Sequence, residues 1–335
     1  MIEVTRDTTC LICRGATIGL TPPAMLTEDS KAGWENDSTM KLLNLKKVEV
    51  QLRFCLICLH SIIFPKFDAA QIYGENGSKI RKQVFEAYFP GQIYGEKKRK
   101  LEFSEDLLGA SQEFLRFHQV MSLLGKFGQL SVGEDEELRI LDWGGGDGYV
   151  STLYTTALDA ITTLRVSNYV YDHTVWKDSQ TNKVGLKDLE EMPPFHLIIF
   201  SHVLEHTHDS VLTLKQAASF LSDQGLVICE VPDERLTIVK TIFRRRTGLN
   251  YHVHHFTRRS LHKLFDNADF SSIKTDYQFN SSYRGGKISS ILGIGKVKGG
   301  KREDIPSFIY EFVSLVKFVL LKVATKFRRI VGFST

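Results

Sequence analysis

From Leu138 onward the chain alternates short apolar runs with amphipathic stretches of helical length. Arg139–Asp142 is an apolar run of strand length that stops at a cluster of glycines, and Tyr149–Ala160 reads as the helix after it. Val166–Tyr171, His196–Phe200 and Leu226–Val231 are three further strands, with a helix from about Asp209 to Phe220 between the last two. Thr257 can cap a helix that runs through Asn267, and Ile273–Phe279 and Ile288–Gly295 read as closing strands. Strands alternating with helices predict an α/β fold, a mostly parallel sheet covered on both faces. In such sheets a ligand sits beyond the carboxyl ends of the strands, near the point where strand order reverses. The glycine cluster lies at such an end.

Outside residues 131–300 the pattern changes. Residues 1–66 show sparse periodicity and hold four of the five cysteines. Residues 67–130 read as a helical connector, in which Ser104 can cap a helix with Leu107, Leu108, Leu115, Met121 and Leu124 along one stripe. The pentapeptide beginning at Gln71 returns at Gln92, which is too little for a repeat architecture. Over 301–335 apolar positions such as Phe308, Phe312, Leu315, Val319 and Val323 face away from Lys317, Lys322, Lys326 and Arg329. A basic amphipathic helix of this kind either lies in a membrane interface, giving peripheral contact at the inner face, or packs on the core or on another subunit.

Composition narrows the field. With 42% apolar and 24% charged residues over 335 positions, the chain is globular and long enough for a sizeable core. A net charge of only +4 gives no reason to expect a nucleic-acid partner, although Arg244–Arg246 and Lys296–Arg302 are locally basic. Those runs are either solvated surface or, for Arg244–Arg246, a place for a nucleotide-sugar diphosphate. The start Met1–Asp7 lacks the basic-then-apolar pattern of a secretory signal, and no uninterrupted apolar run reaches spanning length. An odd number of cysteines then points to a reducing compartment, and the expected location is the cytoplasm.

The glycine cluster carries the first chemistry. Asp142, Gly144, Gly146 and Gly148 fall at alternate positions directly after a strand. Glycine there permits a tight turn and close backbone approach to a ligand, and the following helix presents free N–H groups. A dinucleotide fingerprint needs a third glycine where Tyr149 or Ser151 stands, so that register fails. Asp172, at the end of the next strand, can take both hydroxyls of a ribose or simply cap a helix.

Two C-x-x-C pairs, Cys10 with Cys13 and Cys55 with Cys58, flank residues 14–54. Four thiolates suit one tetrahedral zinc ion, closed to water and therefore structural. A redox role expects a single pair beside a βαβ unit. His60 reads as a packed or exposed side chain rather than a ligand, and Cys229, inside an apolar strand, as inert core.

Together these segments resemble the class I S-adenosylmethionine-dependent methyltransferases, over roughly residues 138–295. Ile140–Gly148 is similar to that family's Asp-x-Gly-x-Gly-x-Gly motif, Lys187–Leu189 to its adenine-holding segment, Phe200–His206 to its fourth-strand motif and Leu221–Pro232 to its fifth. The resemblance implies a Rossmann-like sheet and S-adenosylmethionine held by Asp142, Gly144, Gly146, Gly148, Asp172, Asp188, Leu189, Ser201 and His202. An N-terminal zinc module ahead of such a domain resembles the branch that methylates sugars and surface-glycan precursors. Small-molecule or glycan acceptors, nucleotide- or lipid-linked, are what it implies. In that branch a Tyr-His-Glu-His-like run is common; here Tyr251–His255 has Val253 at the glutamate position, which leaves an oxygen acceptor at least as well supported as a carbon one.

A hydroxyl acceptor must lose a proton, a task for histidine near neutral pH. His206 and His252 are the candidate bases, from a set that also holds Glu205, His254 and His255, while His202 is expected to touch the cofactor. Methylation of a quinone, lipid or protein, and a non-catalytic cofactor-binding protein, remain alternatives at this stage.

Overall fold

The computed structural model describes residues 9–21, 23–27, 34–64, 75–88, 137–146, 148–161, 164–172, 182–235, 238, 252–281, 287–297, 307 and 309. The helix expected from Ser104, the Arg244–Arg246 run and, apart from Ser307 and Ile309, the amphipathic segment at 301–335 lie outside them. Among the described residues no helix is long and apolar enough to cross a membrane.

In chain order the elements are β1 (Thr17–Gly19), β2 (Ala24–Thr27), α1 (Trp34–Leu42), β3 (Lys47–Cys55), β4 (Ser61–Phe64), α2 (Glu75–Tyr88), β5 (Leu138–Trp143), α3 (Tyr149–Ile161), β6 (Val166–Tyr171), β7 (Asn182–Lys183), α4 (Leu186–Glu191) and β8 (Phe195–Ser201). A 3-10 turn (Leu204–His206) follows, then α5 (Ser210–Ala218), β9 (Leu221–Pro232), β10 (His254–His255), α6 (Arg258–Asn267), β11 (Ser272–Ser281) and β12 (Lys287–Lys296).

Among the described residues seven strands form the larger sheet, in the order β7-β6-β5-β8-β9-β12-β11. β5 pairs in parallel with both β6 and β8, whereas β12 runs antiparallel to β9 and β11. The chain therefore builds outward from β5 to one side and then to the other, so order reverses between β5 and β8. The glycine loop leaves β5 at that point. Because successive strand residues face opposite sides, the central strands feed two cores. Leu138, Ile140, Leu197, Ile199 and Ile228 pack on one face, and Leu141, Trp143, Ile198, Phe200 and Cys229 on the other. Thr257 caps α6 as expected, its hydroxyl accepting the Ser260 N–H at 3.2 Å.

The described residues between 9 and 64 are more regular than sparse periodicity implies, and that expectation is corrected. In β3 the side chains of Val48, Val50, Leu52 and Phe54 are buried, while the positions between them are partly or fully exposed. That is the period-two pattern of a half-buried strand. Nor does this sheet close within the first 66 residues: its order is β1-β3-β4-β10, with β2 also on β3. His254 and His255 pair with Ile62 and Ser61, so a strand nearly two hundred residues downstream completes it. Cys10, Ile12, Cys55 and Cys58 share a continuous core with Trp143, Phe200 and Phe256.

Candidate active site

Beyond β5 the backbone takes left-handed conformations at Gly144 (φ 73°), Gly146 (φ 59°) and Gly148 (φ 80°). Side chains rarely adopt these, which is why glycine is needed here. Asp142 is fully buried, and its carboxylate accepts the Ser151 N–H at 3.3 Å, tying the strand to the start of α3. Asp172, at the end of β6, accepts the Gly146 N–H at 2.8 Å. A β-carbon on Gly144 would lie 2.9 Å from both methyls of Val203, so the glycine loop presses directly on the segment after β8. Asp142, Gly144, Gly146, Gly148 and Asp172 are thus gathered at one edge, with Ser201 and His202 alongside. Leu189 is buried against that sheet's core. Asp188 is exposed, its carboxylate accepting the Gly185 N–H of its own helix start at 2.7 Å.

After β8 the backbone turns sharply at His202, whose φ of 56° is unusual for a residue with a side chain. The ring lies between two buried acids, with Nδ1 3.3 Å from Glu205 and Nε2 3.7 Å from Glu230. Desolvation opposes its charged form, but its close contacts with the Glu205 and Glu230 carboxylates outweigh that and carry the pKa up to about 9. Glu205 is fully buried. Burial alone would raise its pKa; contact with His202 and the neighbouring histidines lowers it instead. His206 Nε2 stands 3.8 Å from Glu205, and the rings of His206 and His252 meet edge-on with centroids 4.7 Å apart. His252 donates from Nδ1 to Glu234 at 2.5 Å. Desolvation disfavours the charged ring of His252, and Glu234 and Glu205 more than offset it, so its pKa rises. A carboxylate that fixes one ring nitrogen leaves the other aimed by design at a reacting group or a ligand.

The four paired cysteines also converge. Cys10 and Cys58 sulfurs are 3.6 Å apart and those of Cys13 and Cys55 3.4 Å. These gaps are far above a disulfide bond of about 2.05 Å, and close to the roughly 3.8 Å edge of a tetrahedral zinc–thiolate site. The donor set and spacing fit that ion. The cluster is linked to the histidine region: Cys10 Sγ lies 3.8 Å from His60 Nδ1, and His60 Nε2 lies 3.2 Å from His254 Nδ1. The far nitrogen of His254 donates to the Thr207 carbonyl at 2.8 Å, at the end of the turn that carries Glu205 and His206. His60 is therefore packed rather than exposed, at 1% exposure. Cys229 is buried in β9.

Sequence reasoning passed over Glu230 and Glu234. Glu230 had a signal, an acid inside an otherwise apolar strand, which survives burial only with a partner. Glu234 had none, since its link to His252 spans eighteen residues and depends on the path between them.

Residues 112–275, which include this site, match the family described as methyltransferase domain. No curated protein matches the sequence. Among solved structures, magnesium protoporphyrin IX methyltransferase from Synechocystis PCC 6803 with bound SAH is 18% identical, covering 68% of this chain and 97% of that one with a TM-score of 0.41. The citrinin polyketide synthase CMeT domain is 14% identical, covering 70% of this chain and 60% of that one, with a TM-score of 0.40. The DszA carbon methyltransferase is 12% identical, covering 70% of this chain and 62% of that one, also with a TM-score of 0.40. The chain thus spans under two thirds of the last two. The glycine loop, the acid after β6 and the domain match define an enzyme. It carries a methyltransferase domain over residues 112–275.

Proposed function

We propose that the enzyme methylates a hydroxyl or carbon of a sugar or surface-glycan precursor, with a structural zinc ion in the Cys10–Cys13–Cys55–Cys58 cluster. One observation carries this reading: Glu205, His206 and His252 converge on the segment that presses against the glycine loop, with Val203 in contact with Gly144. Bound S-adenosylmethionine supplies a methyl group on a positively charged sulfur. The chain's own part is to hold the acceptor in line with that methyl and to ease loss of the acceptor's proton. Asp142 fixes the glycine loop, Asp172 offers a carboxylate to the ribose hydroxyls, and His202 is expected to lie against the methionine end of the cofactor. The proton leaves at the Glu205–His206–His252 cluster. A four-cysteine module ahead of the methyltransferase domain resembles the sugar-directed branch, and that resemblance is the ground for proposing a sugar over a quinone, lipid or protein acceptor.

His206→Ala and His252→Ala should each lower turnover by about 10²–10⁴-fold, the usual scale for losing acid–base assistance. Binding of S-adenosylhomocysteine, read by calorimetry, should change little, because neither side chain shapes the glycine loop. Full turnover in both variants would remove the cluster from the reaction. The acceptor class is tested by mass spectrometry of surface glycans from cells with and without the gene. Loss of one methyl, 14 mass units by formula, from a glycan is expected; unchanged glycans would turn the search to other acceptors.

A further inference from the structure

We propose that Glu205, His206 and His252 form a site for a divalent first-row metal ion, separate from the four cysteines. The inference rests on this cluster being where the acceptor meets the enzyme.

Three features carry it. First, each of the three residues offers one ligand atom, and all of these lie within 4.8 Å of one another. Two nitrogen or oxygen atoms on one ion can be at most roughly 4.2 Å apart, twice a bond of about 2.1 Å. Glu205 and His206 already satisfy this at 3.8 Å.

Second, Glu205 is fully buried and neither of its carboxylate oxygens meets a donor in hydrogen-bonding geometry. A buried charge in that condition is costly unless a cation answers it. His202 approaches at 3.3 Å but stands between Glu205 and a second buried acid, Glu230, and Glu234 adds a third nearby.

Third, His252 is oriented as metal-binding histidines are. Its Nδ1 donates to Glu234 at 2.5 Å, which fixes the tautomer and leaves Nε2 as a lone-pair donor. A carboxylate behind a ligating histidine is the recurrent outer partner of such sites. Two histidines and one carboxylate suit manganese, iron, cobalt, nickel or zinc, with positions left for a substrate oxygen. A hydroxyl held on the ion would release its proton to water more readily. The two histidines then act as ligands rather than as bases.

The test uses the full chain as purified, so that any metal on the cysteines stays in place, and manganese(II) as the probe. Free manganese is read by electron paramagnetic resonance during titration. Saturable binding of one ion per chain is expected. His252→Ala and Glu205→Gln should abolish it, and Glu234→Gln should weaken it by about 10–100-fold, the scale for an outer partner. S-adenosylhomocysteine binding serves as the control that each variant is folded. Absence of saturable binding, or binding that His252→Ala and Glu205→Gln leave unchanged, overturns the metal site. Methylation at full rate in excess chelator would also retire the metal while leaving the methyltransferase reading intact. Failure to bind S-adenosylhomocysteine would retire that reading without touching the manganese titration.

Discussion

Gly146→Leu should abolish binding of S-adenosylmethionine while leaving the protein folded. The residue sits at φ 59°, and its N–H donates to Asp172 at 2.8 Å. A leucine in that conformation costs about 1–2 kcal/mol from contact of its β-carbon with the backbone. That is a modest loss for a sheet with two packed cores. Its larger effect is steric, because the side chain fills the space through which the loop backbone approaches a ligand. In a thermal-shift assay the wild type should be stabilised by saturating S-adenosylhomocysteine, by the mass-action amount of roughly 2.7 kcal/mol at a hundredfold excess over Kd. The variant should melt a few degrees lower and show no ligand shift. A retained shift of wild-type size would mean that the glycine loop does not hold the cofactor.

Cys55→Ser is expected to have the second large effect, and on a different quantity. Cys55 is buried, 3.4 Å from Cys13, and its N–H donates to the His60 carbonyl at 2.8 Å. If zinc occupies the cluster, its binding free energy is part of the folding free energy. Elemental analysis of protein purified without added metal should find close to one zinc per chain in the wild type and little in the variant. Thermal stability should fall with it. The damage should not stay local, because β4 pairs with β10 and the His60–His254–Thr207 chain reaches the turn that holds His206. Turnover is therefore expected to fall as well. Metal-free protein with four reactive thiols and undiminished stability would contradict the zinc assignment.

The larger sheet was legible in the sequence because its signals are local. Apolar runs of strand length, the Thr257 cap and alternating glycines each act over a few residues, and β6 falls on the expected Val166–Tyr171. The β3 alternation was equally local but lay between charged neighbours such as Lys47, Glu49 and Arg53, and was passed over. What the sequence could not show was long-range pairing. Nothing in His254–His255 announces that it joins β4, since those contacts form only when the two regions dock. The site divides the same way. Asp142, the glycines and Asp172 share one sheet edge because strand ends share it, and the histidines were visible as residue types. Their acid partners were not: Glu230 is hidden in a buried strand, and Glu234 reaches His252 only through the fold.

The central claim, that this enzyme takes its methyl group from S-adenosylmethionine bound at the glycine loop, is tested most directly by paired calorimetric titrations of the full chain. S-adenosylhomocysteine should give saturable heat at one molecule per chain, and NAD should give none, because Tyr149 and Ser151 stand where a dinucleotide site needs glycine. Saturable binding of NAD with no heat from S-adenosylhomocysteine would contradict it.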